Sequence, residues 1–215
     1  MLIKVCGMRD ADNIRQVEIL GPDMMGFICW DGSKRFVPHA PNYLPVKCLR
    51  VGVFVNPTLD YVLSRQQEMN FRILQLHGNE SPEFCALLCK ECNKTNRKVK
   101  LMKVFTVASG YPFPKTAAYE NVCDLFLFDT KCPTMGGSGK TFDWSALRNY
   151  TGARPFLLSG GIGPECLNEL RTCFHPRCIG VDLNSRFETA PAVKDVALLA
   201  HFISKLRNTN LFKTE

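Results

Sequence analysis

The sequence predicts an α/β chain that closes as a single-domain (βα)8 TIM barrel over residues 1–215. Three observations carry this: eight short apolar runs rich in β-branched and aromatic residues, helical spacing of apolar residues between most of them, and no linker composition anywhere. A doubly wound open sheet usually needs fewer strands and a glycine loop directly after the first one, which this chain lacks.

The runs are Leu2–Cys6, Met25–Cys29, Leu49–Val55, Phe71–Leu76, Val99–Val104, Asp124–Phe128, Pro155–Leu158 and Cys178–Leu183. Helical spacing appears in Leu59/Val62/Leu63, Cys166/Leu167/Leu170 and Val193/Val196/Ala197/Ala200/Ile203. Asp10, Asn56-Pro57, Ser81-Pro82-Glu83, Asp143 and Gly163-Pro164-Glu165 supply caps, first-turn prolines or first-turn acids where helices begin. Two gaps are poor in helix signal. Residues 30–48 hold three prolines, and Ala108–Val122 offers only Lys115–Asn121.

Composition narrows the function classes. With 46% hydrophobic and 22% charged residues the chain is globular, not disordered. The net charge of +7 is scattered, so a nucleic-acid-binding arm is not expected. No run of 18 apolar residues and no signal-peptide pattern appears, so the expectation is a cytoplasmic protein with no membrane association. Eleven cysteines form an odd set in a chain large enough to build a core, which reads as reduced thiols.

A barrel carries its active site at the C-terminal strand ends, so the strand ends are where chemistry is expected. In the first run Lys4 and Cys6 share one face, Ile3 and Val5 the other. An inward lysine beside an inward cysteine favours thiolate and predicts a lowered Cys6 pKa, although a cysteine there also serves as a small buried hydrophobe. Asp129 follows the apolar run ending at Phe128, either as an acid held for chemistry or as the start of a turn. Cys6 and Asp129 at one barrel end would form an acid and base pair. Gly160-Gly161 follows the seventh run and Asp182-Leu183-Asn184-Ser185 closes the eighth, the two places where such barrels hold phosphate on bare backbone N–H groups. Arg35, in a loop after the second run, has the planar fork that recognises a carboxylate.

Three patterns are set aside. Thr134–Thr141 resembles a P-loop but has Thr134 where the pattern demands glycine. Cys85, Cys89 and Cys92 have iron–sulfur-like spacing, yet they fall as one stripe on a helix after Ser81-Pro82-Glu83. His77 has no Cys or His partner at metal-ligand spacing, so a structural hydrogen bond or substrate contact fits better, and no metal is expected.

Nine segments in order, from Lys4-Val5-Cys6-Gly7-Met8 through Gly26-Phe27-Ile28, Ser33-Lys34-Arg35-Phe36-Val37, Val51–Val55, Leu74-Gln75-Leu76-His77-Gly78, Phe128-Asp129-Thr130, Gly136–Trp144 and Ser159-Gly160-Gly161-Ile162 to Gly180-Val181-Asp182, resemble phosphoribosylanthranilate isomerase. The resemblance implies an Amadori rearrangement of N-(5-phosphoribosyl)anthranilate in tryptophan biosynthesis, with no cofactor or metal. It implies Cys6 as general base, Asp129 as general acid, and Arg35 near the anthranilate carboxylate. The Gly160-Gly161 turn and the loop after Asp182, with Asn184 and Ser185, match the phosphate site; Asp182 itself and His77 are taken as further substrate-binding candidates. The phosphorylated small molecule would be the partner of a monomer or homodimer. Two departures stand out: Lys34 replaces a common proline, and Arg186 replaces a common glycine, so that Arg186 either joins the phosphate or points outward. A sugar-phosphate epimerase or a basic binding module are the competing readings.

Overall fold

The computed structural model describes residues 1–94, 98–108, 111–131, 144–172 and 175–208. Eight parallel strands close in sequence order: β1 (Leu2–Val5), β2 (Met24–Ile28), β3 (Leu49–Phe54), β4 (Ile73–Leu76), β5 (Lys100–Ala108), β6 (Leu125–Lys131), β7 (Phe156–Ser159) and β8 (Cys178–Leu183). The closing ladder aligns Lys4 with Asp182 and Val5 with Leu183. All eight predicted runs are strands, and the predicted barrel is present.

The helical layer is thinner than a full (βα)8 pattern. Five α-helices are described: α1 (Ala11–Ile19), α2 (Leu59–Met69), α3 (Pro82–Asn93), α4 (Leu167–Thr172) and α5 (Val196–Asn208). Where residues 30–48 hold three prolines, no helix forms, because proline lacks the N–H a helix interior needs. Among the described residues the β5–β6 crossover carries a 3-10 turn at Ala117–Tyr119, and Trp144–Asn149, between β6 and β7, is likewise 3-10. Asp143 lies outside the described residues.

The caps follow local chemistry. Asp10 accepts from the Asn13 amide and Ser81 from the Phe84 amide, with Pro82 in the first turn of α3. The cap of α2 is Thr58, two residues beyond the expected Asn56, because Asn56 takes φ 45° in the loop and its side chain instead accepts from Asn79 N–H.

Alternation along each strand separates two apolar layers. Val51, Val53, Met102, Val104, Leu125, Leu127 and Leu157 fill the barrel interior, while Ile3, Val5, Phe27, Phe54, Phe126, Phe128 and Phe156 pack outward against the helices. Each such burial contributes about 1.5–3 kcal/mol. Cys85 and Cys92 point into the outer layer from α3, with Cys89 beside them, which confirms the helical stripe. Among the described residues no helix is long and apolar enough to cross a membrane.

The buried thiols make stability depend on alkaline pH. Burial pushes Cys29 up to about 11 and Cys48 up to about 12 from an ordinary value near 9. The unfolded chain therefore sheds those protons first, so their stabilising contribution is whole below about pH 9 and is lost as pH rises through the folded-state values. At ~1.4 kcal/mol per tenfold change in proton affinity, Cys29 accounts for a loss of about 2–3 kcal/mol. Urea unfolding midpoints should fall from pH 9 to 11, and Cys29→Val should flatten part of that slope; an unchanged slope would refute the assignment.

Candidate active site

A cavity of about 200 Å³ opens at the C-terminal strand ends and is lined by Cys6, Gln75, His77, Asp129, Ser159–Ile162 and Asp182, with Asn184, Ser185 and Arg186 at the β8 exit. Of the sequence-predicted residues, Cys6, His77, Asp129, Gly160, Gly161, Asp182, Asn184 and Ser185 all reach it. Arg35 stands apart from this lining.

Cys6 extends the β1 ladder, its amide donating to the Leu183 carbonyl at 2.9 Å, and its side chain faces the interior at 4% exposure. Below it, the Lys4 Nζ donates to Asp182 Oδ1 at 2.9 Å, both groups buried. Room for this arrangement comes from β2: a Cβ on Gly26 would lie 2.7 Å from Cys6 Sγ and 3.1 Å from Lys4 Nζ.

The charge balance corrects one expectation. Cys6 is not lowered but raised: burial disfavours the thiolate more strongly than Lys4 favours it. Burial would also lower Lys4, but the Asp182 carboxylate outweighs it and holds Lys4 above its ordinary value. The lysine charge is thus largely answered by Asp182, which leaves less of it for Cys6.

Asp129 faces the cavity from β6, which continues to Lys131, so the residue sits within a strand and does not begin a turn. Its Oδ2 is 3.5 Å from His77 Nε2. His77 is positioned from below. Its amide donates to the Phe54 carbonyl, and the following Gly78 amide donates to Glu80. Glu80 in turn accepts from the Asn56 amide and pairs with the buried Lys103, whose Nζ also donates to the Gly78 carbonyl at 2.7 Å.

The β7 exit depends on Thr130. Its Oγ1 donates to the Ser159 carbonyl at 2.8 Å, and Gly160, at φ 94°, lies so close that a Cβ would be 2.0 Å from the Thr130 carbonyl. Only glycine fits, and Gly161 follows at φ 64°. At the β8 exit Asn184 Oδ1 accepts from Lys194 Nζ at 2.8 Å. Lys194 also pairs with Glu188, which receives Arg35 through Nε at 2.8 Å and Nη2 at 2.6 Å. Burial would raise Glu188, but Arg35 and Lys194 prevail and hold it below the usual carboxylate range. Arg35 also packs its Cδ over Gly7, leaving no space for a Cβ there.

Arg186 lines the cavity, and its guanidinium turns outward to pair with the exposed Glu165. The glycine-rich stretch Gly136–Asp143 lies outside the described residues. Among the described residues no group of His, Cys, Asp or Glu could hold a metal ion. Besides Glu80 and Lys103, four further contributors escaped the sequence reading. Glu188 and Lys194 lie in a small hairpin, Glu188–Ala190 with Val193–Lys194, that no periodicity announced. Gln75 and Thr130 stood inside quoted segments, but nothing singled them out. The Gln75 Oε1 is buried without a hydrogen-bond partner, a condition that ordinarily costs about 1–3 kcal/mol.

A closed parallel barrel with a thiol and a carboxyl on one cavity at the C-terminal strand ends, beside a glycine turn after β7, is the arrangement of a (βα)8-barrel enzyme. The comparisons narrow this. The family model described as N-(5'-phosphoribosyl)anthranilate (PRA) isomerase matches residues 3–205, and the chain belongs to that family. It is 48% identical over 212 residues to N-(5'-phosphoribosyl)anthranilate isomerase of Phocaeicola vulgatus, covering 96% of this chain and 98% of the relative. The crystal structure of phosphoribosyl anthranilate isomerase from Thermotoga maritima superposes with a TM-score of 0.79 at 30% identity, covering 97% of this chain and 100% of that one. A second crystal structure of such an isomerase, in complex with reduced 1-(o-carboxyphenylamino)-1-deoxyribulose 5-phosphate, gives a TM-score of 0.74 at 26% identity over 97% and 100% of the two chains.

Two measurements test the site as built. Iodoacetamide alkylation of Cys6, mapped by mass spectrometry, should climb about tenfold per pH unit from pH 7 to beyond 9, because only the thiolate reacts; a plateau below pH 8 would contradict the raised thiol. Gly26→Ala should cost about 1–3 kcal/mol by overpacking and change the Cys6 alkylation rate, whereas unchanged values for both would show that the space is not needed.

Proposed function

We propose that the chain isomerises N-(5'-phosphoribosyl)anthranilate to 1-(o-carboxyphenylamino)-1-deoxyribulose 5-phosphate, with Asp129 as general acid and Cys6 as general base. The observation that carries this reading is the placement of both residues on one cavity, with the β7 and β8 exits lying between their strands in the ring. In this reading the phosphoryl group sits on the backbone of Gly160 and Gly161 and against Asn184 and Ser185. His77 orients Asp129 at the ribose.

Arg35 suits the anthranilate carboxylate. Glu188 takes two of its five N–H groups, and the second cation, Lys194, neutralises Glu188, so the trio keeps one net positive charge. Asp129 then gives its proton to the ribose ring oxygen. The C1–O bond breaks and an iminium forms between C1 and the amine. That cation acidifies the hydrogen on C2, which Cys6 removes, and the resulting enolamine tautomerises to the ketone. The raised Cys6 suits this order. After ring opening the adjacent iminium supplies the counter-charge that Lys4, already paired, does not; the thiol then releases its proton to bulk water, and the thiolate so formed takes the C2 hydrogen. Only proton transfers are required, so the reading includes no cofactor. It takes residues 1–215 as one domain, working in the cytoplasm as a monomer or homodimer.

The test is the fluorescence decay of freshly prepared phosphoribosylanthranilate. The wild-type chain should accelerate it, and Cys6→Ser and Asp129→Asn should each lower kcat by about 10²–10⁴ while melting normally. No acceleration by the wild type, or full turnover by either variant, would overturn the proposal.

A further inference from the structure

We propose that Gln75 is a further catalytic residue: its carboxamide oxygen accepts a hydrogen bond from the substrate's arylamine N–H and stabilises the positive charge on that nitrogen as the ribose ring opens. This rests on the isomerase reading and extends it to a residue that sequence patterns did not single out.

Three observations carry it. Gln75 lines the cavity from β4 at 2% exposure, and its Oε1 is buried without a partner among the described residues. Its register neighbours on either side are Val53 and Met102, which offer no hydrogen bond from their side chains. A carbonyl without a partner in the wall of a cavity is a group that a ligand entering the cavity can satisfy.

Topology then selects the substrate atom. In a closed ring of eight strands β4 lies across the axis from β8. With the phosphoryl group at the β7 and β8 exits, the opposite end of the substrate reaches β4, and that end is C1 with its arylamine. Ile28 and Val53 supply apolar wall for the aryl ring beside it. The amine carries one N–H before and after ring opening, but its nitrogen becomes cationic only afterwards. An acceptor dipole aimed at that N–H therefore binds the iminium more tightly than the ground state, which is the condition for lowering the barrier. The proton stays on nitrogen throughout, so Asp129 and Cys6 keep their roles.

The test compares wild type, Gln75→Met and Gln75→Asn by kcat, melting temperature and affinity for two ligands: the reduced amine 1-(o-carboxyphenylamino)-1-deoxyribulose 5-phosphate and its counterpart with an ether oxygen in place of the N–H. Both variants should lower kcat about 100-fold. Gln75→Met should melt no lower than wild type, since it removes an unsatisfied polar group. It should weaken the amine ligand about tenfold and leave the ether ligand unchanged. Wild-type kcat in Gln75→Met, or equal loss of both ligands, would overturn the inference; if Gln75→Met does not fold, Gln75→Asn answers by the same readouts. Failure of the isomerase reading shows separately, as absence of turnover by the wild-type chain itself.

Discussion

The buried pair Lys4–Asp182 is the constraint on which the rest of the molecule depends. It joins the first and last strands where the barrel closes, and it forms the floor beneath Cys6. Taking a lysine fully out of water is tolerable only because a carboxylate meets it at 2.9 Å, and removing either partner would strand the other charge in an apolar interior. The same pairing sets the chemistry above it. Because Asp182 answers much of the lysine charge, burial prevails at Cys6 and holds its thiol above the ordinary value. Closure and reactivity are thus two consequences of one interaction.

A second charge cluster does comparable work at the rim. Arg35, Glu188 and Lys194 tie the β2 loop to the hairpin after β8 and hold Asn184 at the same time. Lys103 and Glu80 do this on the opposite side, where they knit the loops after β3 and β4 and fix the backbone that carries His77. In both places buried or half-buried charges position loops, which otherwise have few apolar contacts to order them.

Much of this was legible in the chain. Short apolar runs announced every strand, since both faces of a barrel strand are buried and apolar. Asp10 and Ser81 announced their helices because a capping side chain is a local interaction. Cys6 and Asp129 stood out at strand ends, and both line the cavity. What escaped was non-local. The cap of α2 moved to Thr58 because Asn56 is claimed by the loop carrying Asn79. The direction of the Cys6 shift is set by burial in the closed barrel, to which Asp182 from the last strand adds, and together these outweigh the Lys4 charge that a local reading assigned to the thiol. The demand for glycine at position 160 comes from Thr130 on a neighbouring strand, and Gln75 gains meaning only from the absence of any partner around it.

The seam between β1 and β8 also governs the order in which the molecule can be made. Lys4 and Asp182 are 178 residues apart. A ribosome delivers the lysine among the first residues and its carboxylate near the end, so throughout most of synthesis the lysine must remain hydrated. The interior cannot seal around an unpaired ammonium group, and barrel closure therefore waits for the last strand. A circularly permuted chain whose new termini lie in another crossover, with β8 joined directly to β1, would bring these two residues out together and turn the slowest contact of the natural order into an early one.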